Sequence, residues 1–244
     1  MKLEVRNICV EYSGKAILED INVSVEDGKF VSILGESGSG KSTLLKVVAG
    51  ILPDAGGEIF VSGEKMTKIS KHFAYMPQDD LLFPWWSIMQ NICLAARISG
   101  SLAESESEAE KFLAEFGLSH CKNMYPKQLS GGMRQRIAFL RTVLSKADIW
   151  MLDEPFASLD VITRGELQDW LLELRKKISK TVLLVTHDLE EAIYLSDKIY
   201  VLRGSPAKIV KEITISEGEK DRKWLYEQGS LKKEIFDAIR GARF

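Results

Sequence analysis

The chain has 244 residues, 45% apolar and 28% charged, and its 33 basic and 35 acidic side chains leave a net charge of −2. That length suits one large or two small globular domains, and the balance excludes a polybasic tail, a strongly basic nucleic-acid surface and an acidic disordered chain. Cys9, Cys93 and Cys121 are odd in number and lack metal-ligand spacing, so they read as reduced core cysteines. Charges interrupt the first six residues, which leaves no signal-peptide core. Apolar runs such as 182–185 fall far short of the roughly 20 residues that cross a bilayer. The expectation is a soluble cytoplasmic chain that reaches a membrane only through a partner.

Residues 3–10 mix β-branched and polar side chains as a strand does, and a turn follows at 12–15. Residues 21–25 alternate apolar and polar, and Asp27-Gly28 turns the chain into a nearly all-apolar strand at 30–34. A glycine-rich loop then leads into a helix over 41–50. A hairpin-like stretch covers 57–63, and a short strand at 73–76 stops at Pro77. From 87 to 146 the pattern is helical without a convincing strand, and 101–110 reads as a solvated loop running into an exposed helix. A buried strand returns at 149–152, followed by a long helix at 161–178, a strand at 181–186 and a helix at 189–195. Edge strands are expected at 199–202 and 209–210. The charged tail 217–244 holds one helix-like stretch at 231–239, with Trp224 and Tyr226 expected to pack on the main body. Strands alternating with helices predict a mostly parallel α/β sheet whose ligands bind at the carboxyl ends of the strands.

The informative residues fall at those ends. Gly35-Glu36-Ser37-Gly38-Ser39-Gly40-Lys41-Ser42 fits G-x-x-x-x-G-K-[ST] between a buried strand and a helix. Glycines let the backbone wrap an anion, and free N–H groups at the helix start favour negative charge. Lys41 adds a cation for the β- and γ-phosphates, and the Ser42 hydroxyl suits Mg²⁺. Asp153 and Glu154 end the apolar strand at 149–152, where one carboxylate can hold Mg²⁺ and the other can polarise a water. His187 follows the next strand, within reach of a γ-phosphate or as an ordinary surface histidine.

A second anion cradle lies far away in sequence. Ser130 suits a helix N-cap, and Gly131 and Gly132 leave backbone N–H groups open. One triphosphate needs only one such cradle per subunit. The economical reading is that Leu129-Ser130-Gly131-Gly132 of one copy closes over ATP held by another copy.

With these segments together the chain resembles an ATP-binding cassette (ABC) transporter ATPase subunit. Gly35 to Thr43 resembles the family's Walker A, 149–154 its Walker B, and 129–136 its signature motif. The resemblance implies further roles. Gln78 resembles the Q-loop glutamine that touches Mg²⁺ and the water, Ser158-Leu159-Asp160 the D-loop, His187 the switch histidine, and Tyr12 the aromatic that stacks on adenine. It implies a P-loop NTPase core, mostly parallel with helices on its faces and an antiparallel β subdomain, plus a helical insertion subdomain. The expected organisation is an ATPase domain over 1–211, with its core in 1–86 and 147–211 and the helical part near 87–146, and a tail over 212–244.

The stretch 81–88 after Gln78 places Trp85 and Trp86 beside Pro84, read either as an interface patch or as a core pair. Its pattern resembles importer ATPases for nitrate, sulfonates, taurine and thiamine precursors. That resemblance implies hydrolysis of ATP with Mg²⁺ and pairing with a second ATPase subunit, as a homodimer. It also implies docking of a transmembrane permease near 78–86, indirect service to an extracytoplasmic solute-binding protein, and a place on the inner face of the membrane. No nucleic-acid partner is expected. The competing expectation is a soluble ABC ATPase of the iron–sulfur assembly or repair type.

Overall fold

The computed structural model describes residues 1–52, 56–66, 70–216 and 218–241. Glu217 and residues 242–244 of the expected tail lie outside the described residues, as do 53–55 and 67–69 of the expected ATPase domain. The strands are β1 (Leu3–Tyr12), β2 (Lys15–Val25), β3 (Phe30–Gly35), β4 (Gly56–Val61), β5 (Glu64–Lys65), β6 (Phe73–Met76), β7 (Ile149–Asp153), β8 (Thr181–Thr186), β9 (Lys198–Gly204) and β10 (Ala207–Thr214). The helices are α1 (Lys41–Val48), α2 (Ile88–Ile92), α3 (Leu94–Ser99), α4 (Leu102–Glu115), α5 (Gly131–Val143), α6 (Val161–Lys177), α7 (Leu189–Leu195), α8 (Arg222–Glu227) and α9 (Gly229–Arg240).

Among the described residues the strands form one sheet in the order β5-β4-β1-β2-β10-β9-β3-β8-β7-β6. One half is parallel: β3 pairs with β8 and β9, β8 with β7, and β7 with β6. The other half is antiparallel, built by β1 with β2 and β4 and by β4 with β5. Every residue of β3, β7 and β8 is buried, as strands covered on both faces require. Successive side chains of a strand point to opposite faces. Phe30 and Leu34 therefore join a core with the helices α5, α6 and α7, while Val31 and Ile33 join a second core with α1 and the antiparallel strands. The chain is thus an α/β molecule with a mixed sheet and helices between β6 and β7.

Some elements depart from the sequence reading. β9 is an interior strand, parallel to β3 (Ile33↔Tyr200) and antiparallel to β10 (Ile209↔Leu202). Its apolar run Ile199 to Leu202 is buried throughout, and the sheet's edges are β5 and β6 instead. β10 is longer than expected and also interior, touching β2 at Ala207↔Leu18. Cys9 is exposed, while Cys93 and Cys121 are buried. Burial pushes the Cys93 thiol up to about 11, so it stays protonated. In the tail, α8 precedes the expected helix. Asp221 caps it by accepting from Trp224 N at 2.6 Å. Trp224 packs against the core, but Tyr226 is 72% exposed rather than packed. α9 buries Ile235, and Arg203 Nη1 donates to Ala238 O at 2.7 Å to hold it against β9.

Candidate functional site

The carboxyl ends of β3, β7 and β8 gather the chemistry at one cleft. β3 ends at Gly35, where a Cβ would lie 2.6 Å from Leu202 O, so no larger residue fits. The loop closes at Gly40, whose φ of +93° and 2.9 Å approach to Leu18 Cδ2 demand glycine. α1 starts there with Lys41, which is only 4% exposed. Its ammonium donates to Gly35 O at 2.9 Å and Glu36 O at 2.8 Å, and lies 3.9 Å from Glu154 Oε1. Burial pulls the Lys41 pKa down, and the nearby Glu154 and Asp153 carboxylates oppose that shift.

Asp153 is the last residue of β7 and is 1% exposed. It accepts from Ser42 Oγ at 2.8 Å and from the Tyr75 hydroxyl at 3.2 Å. Burial raises its carboxyl pKa, and those two hydrogen bonds hold the rise back. Ser42 lines the cleft and Asp153 is its hydrogen-bond partner, so a hydroxyl and a carboxylate lie adjacent there. Oxygen donors at one carboxylate and one hydroxyl suit Mg²⁺, which keeps several waters and binds the remaining oxygens of a phosphate.

Glu154 turns sharply out of the strand. Its φ is +48°, which costs a non-glycine residue about 1 kcal/mol. Its N–H still donates to Val185 O at 2.9 Å, so the turn stays stitched to β8. The carboxylate meets His187 Nδ1 at 2.9 Å and faces Lys41. Backbone strain at a carboxylate that lines a cleft is the kind of outlier that functional sites retain.

The cleft has a volume of about 770 Å³. Ser37, Gly38, Gly40, Lys41, Ser42 and Thr43 line it, together with Gln78 and Glu154. Tyr12 at the β1–β2 turn also lines it and is 73% exposed, leaving an aromatic face free. Val10, Glu11, Ile17, Lys46 and Leu52 line it as well. The backbone of Glu36 belongs to the loop through its carbonyl, and Ser39 Oγ is buried without a partner among the described residues.

The remaining expected residues lie elsewhere. Among the described residues, none of 129–132 and not Asp160 lines the cleft. Ser130 caps α5 by accepting from Met133 N at 3.3 Å, and Ser130 and Gly131 are exposed. A Cβ on Gly132 would meet Leu159 Cδ2 at 3.4 Å, so the start of α5 abuts the 158–159 segment of its own subunit. Asp160 caps α6, accepting from Ile162 N and Thr163 N at 3.1 Å each. The first turn of α6 leaves Val161 and Ile162 exposed beside it.

Sequence reasoning missed Tyr75, whose partner Asp153 is 78 positions away. The alternation of Phe73 and Tyr75 on one face of a strand was its only local trace. It also missed the apolar wall of Val10, Ile17 and Leu52, which comes together only when the antiparallel and parallel halves of the sheet meet. Trp85 is 68% exposed and Trp86 half-buried, so the two are not a core pair; both rings pack on Phe83, at 5.6 and 4.9 Å.

Comparison with known proteins places this geometry. Residues 18–157 match the family model described as ABC transporter. The aliphatic sulfonates import ATP-binding protein SsuB of Bacillus cereus is 42% identical over 81% of this chain and 78% of its own length. The formylaminopyrimidine import ATP-binding protein ThiZ of Halalkalibacterium halodurans is 38% identical over 91% and 90% of the two chains. The nitrate import ATP-binding protein NrtD of Synechocystis is 35% identical over 88% and 83%. A solved ATP-binding subunit of an ABC transporter matches with a TM-score of 0.81 at 26% identity, covering 99% of this chain and 100% of that one. A dimeric ATP-binding cassette solved after hydrolysis, with ADP and Pi bound, matches with a TM-score of 0.76 at 25% identity, covering 88% and 100%. The chain belongs to the ABC transporter family, as an ATP-binding ATPase in the group of import ATP-binding proteins.

Proposed function

We propose that two copies of this chain bind two ATP molecules at a head-to-tail interface and hydrolyse them to drive solute import through a separate membrane permease. The observation that carries this reading is a division of labour. Lys41, Ser42 and Glu154 line one cleft, with Asp153 hydrogen-bonded to Ser42 and His187 to Glu154, while none of Ser130, Gly131 and Gly132 is among the described residues that line it. A cradle outside the cleft of its own subunit is explained by a ligand held in another.

In this reading Tyr12 stacks on adenine, and the loop from Gly35 through Thr43, including Glu36, Ser37, Gly38, Ser39 and Gly40, wraps the phosphates with Lys41 as its cation. Base stacking on an aromatic contributes roughly 1–3 kcal/mol. Ser42, Asp153 and Gln78 hold Mg²⁺, which neutralises phosphate charge when bound. Glu154 accepts the proton of the attacking water as the oxygen joins the γ-phosphorus and the bond to the β-phosphate oxygen breaks. His187, hydrogen-bonded to Glu154, keeps that carboxylate aimed and reaches the γ-phosphate. Leu129, Ser130, Gly131 and Gly132 close the site from the partner subunit, and Asp160 contributes at the same interface.

The ATPase domain is taken as 1–211, with 1–86 and 147–211 as core, 87–146 as the helical part, and 212–244 as tail. The permease docks near 78–86, where Leu81 and Trp85 stand exposed. No described helix is long and apolar enough to cross a membrane, so membrane contact is assigned to that partner at the inner face of the cell membrane. The solute is a small organic or inorganic one, such as a sulfonate, nitrate or a thiamine precursor, delivered to the permease by an extracytoplasmic binding protein. No nucleic acid takes part.

The test is the Glu154→Gln variant with ATP and Mg²⁺. Removing the general base lowers turnover about 10²–10⁴-fold while leaving ATP binding in place. Gel filtration then shows a stable dimer, absent without ATP. A variant that binds ATP yet stays monomeric at high protein concentration refutes the shared site. Co-purification of tagged wild-type chain from detergent-solubilised cells recovers a multi-span permease; recovery of soluble partners alone refutes the transport role.

A further inference from the structure

The segment after Gln78 is bound to α5 by two arginines. Arg134 Nε donates to Asp80 Oδ2 at 2.8 Å, and Arg134 Nη1 to Leu129 O at 2.9 Å. Arg141, two turns further along the same face of α5, donates to Asp80 O and Leu81 O at 2.8 Å each. Asp80 Oδ1 meanwhile accepts from Leu82 N at 3.1 Å. Leu81 is left at a φ of +41°, an uncommon conformation for a leucine, and its side chain is 63% exposed. One carboxylate therefore ties three things together: the turn that displays Leu81, the carbonyl of Leu129, and the first turn of α5, which carries Gly131 and Gly132.

This connection is not needed to hold α5 in place. Ile137, Ala138, Phe139 and Leu140 are fully buried, and Gln135 Nε2 donates to Pro155 O at 3.2 Å. The side chains of Arg134 and Asp80 are 36% and 27% exposed, and such half-exposed pairs add little to stability. What the pair does provide is a link. It joins the first turn of α5 to the segment leading out of the nucleotide cleft at Gln78.

We propose that Asp80 is a positioning residue for the nucleotide of the neighbouring subunit: through Arg134 it sets the pose in which Ser130, Gly131 and Gly132 meet the partner's ATP. The inference rests on the shared-site reading above. It assigns Asp80 no contact with the nucleotide of its own subunit.

The test places Asp80→Ala and Asp80→Asn in the Glu154→Gln background. A fluorescent ATP analogue is titrated at protein concentrations where the chain is monomeric, and ATP-dependent dimerisation is followed by sedimentation. The expected result is unchanged analogue affinity and an unchanged melting temperature in both. Dimer affinity falls about tenfold in Asp80→Ala, with partial rescue in Asp80→Asn, whose side-chain oxygen still accepts from Arg134. Dimer affinity equal to the parent's in Asp80→Ala overturns the inference. So does a matching loss of analogue affinity or of melting temperature, since Asp80 would then act on its own cleft or on the fold. Glu154→Gln alone is the control: if it stays monomeric, the shared-site reading fails first and this inference with it.

Discussion

A carboxyl group enclosed without a full set of partners is destabilising when charged and takes up a proton instead. Glu191, on α7 just behind the His187 segment, is 4% exposed, and its Oε1 has no partner among the described residues. Burial first, and then the neighbouring Asp188, push its carboxyl well above the usual range. The folded state therefore keeps a proton that the unfolded chain releases. The stability this group contributes is full below the ordinary carboxylate pKa and is lost as pH rises through the raised folded value, at about 1.4 kcal/mol per unit. Glutamine keeps the shape of the neutral acid and cannot ionise. Melting curves of Glu191→Gln and wild type should nearly coincide below the ordinary carboxylate pKa and separate in favour of the variant as pH rises above it. A gap independent of pH would mean that Glu191 is ionised and paired in the folded protein. At this scale the sequence was eloquent where function is local. Gly35 to Ser42 and Asp153-Glu154 are contiguous, and their chemistry can be read from neighbours in the chain. It was silent on Tyr75 and on the Asp80–Arg134–Arg141 clamp, because partners more than fifty positions away, such as Asp80 and Arg134, leave no local pattern.

Elements were legible where periodicity was strong. β8 and α7 match the expected bounds, and the end of β7 differs by one residue from its expected limit. α8 escaped because six residues with one buried side chain, Leu225, show no repeating apolar face. The order of strands was equally hidden. Nothing in Ile199 to Leu202 states that β3 and β10 will flank it, although four apolar residues in a row fit an interior strand better than an edge. The turn joining β6 to α2 separates two kinds of tryptophan from the fold's point of view. Asn91 holds that turn from beneath, donating to the carbonyls of Phe83, Trp86 and Ser87 and accepting from Phe83 N. Trp85 stands on it in solvent, whereas Trp150 in β7 is fully buried. Replacing Trp150 with alanine should remove about 3–5 kcal/mol of stability, and Trp85→Ala less than about 0.5 kcal/mol. Denaturant unfolding of the two variants checks the contrast. A large loss at Trp85 would return that residue to a structural role and remove the exposed patch from consideration as a docking surface.

At the scale of the whole molecule, the cleft lies where the two halves of the sheet meet. The parallel half supplies the phosphate loop and carboxylates, and the β1–β2 hairpin supplies Tyr12 and Ile17. If a second copy closes this cleft, folding and assembly are linked by mass action. For Glu154→Gln with ATP and Mg²⁺, the melting temperature should climb with protein concentration, and without nucleotide it should not. A concentration-independent transition in both conditions would mark the cassette as complete in one copy. The distribution of the five tryptophans adds an optical consequence. Trp150 is sealed in the core, Trp170 and Trp224 are partly covered, Trp86 is half-open, and Trp85 is solvent-facing. No tryptophan is among the described residues lining the cleft. A collisional quencher such as iodide should therefore extinguish the red edge of the emission, which belongs mainly to Trp85, and spare the blue edge from Trp150. The unlabelled protein thus carries its own dye on the face after Gln78, and shielding of that red component reports contact there without a signal from nucleotide filling the cleft.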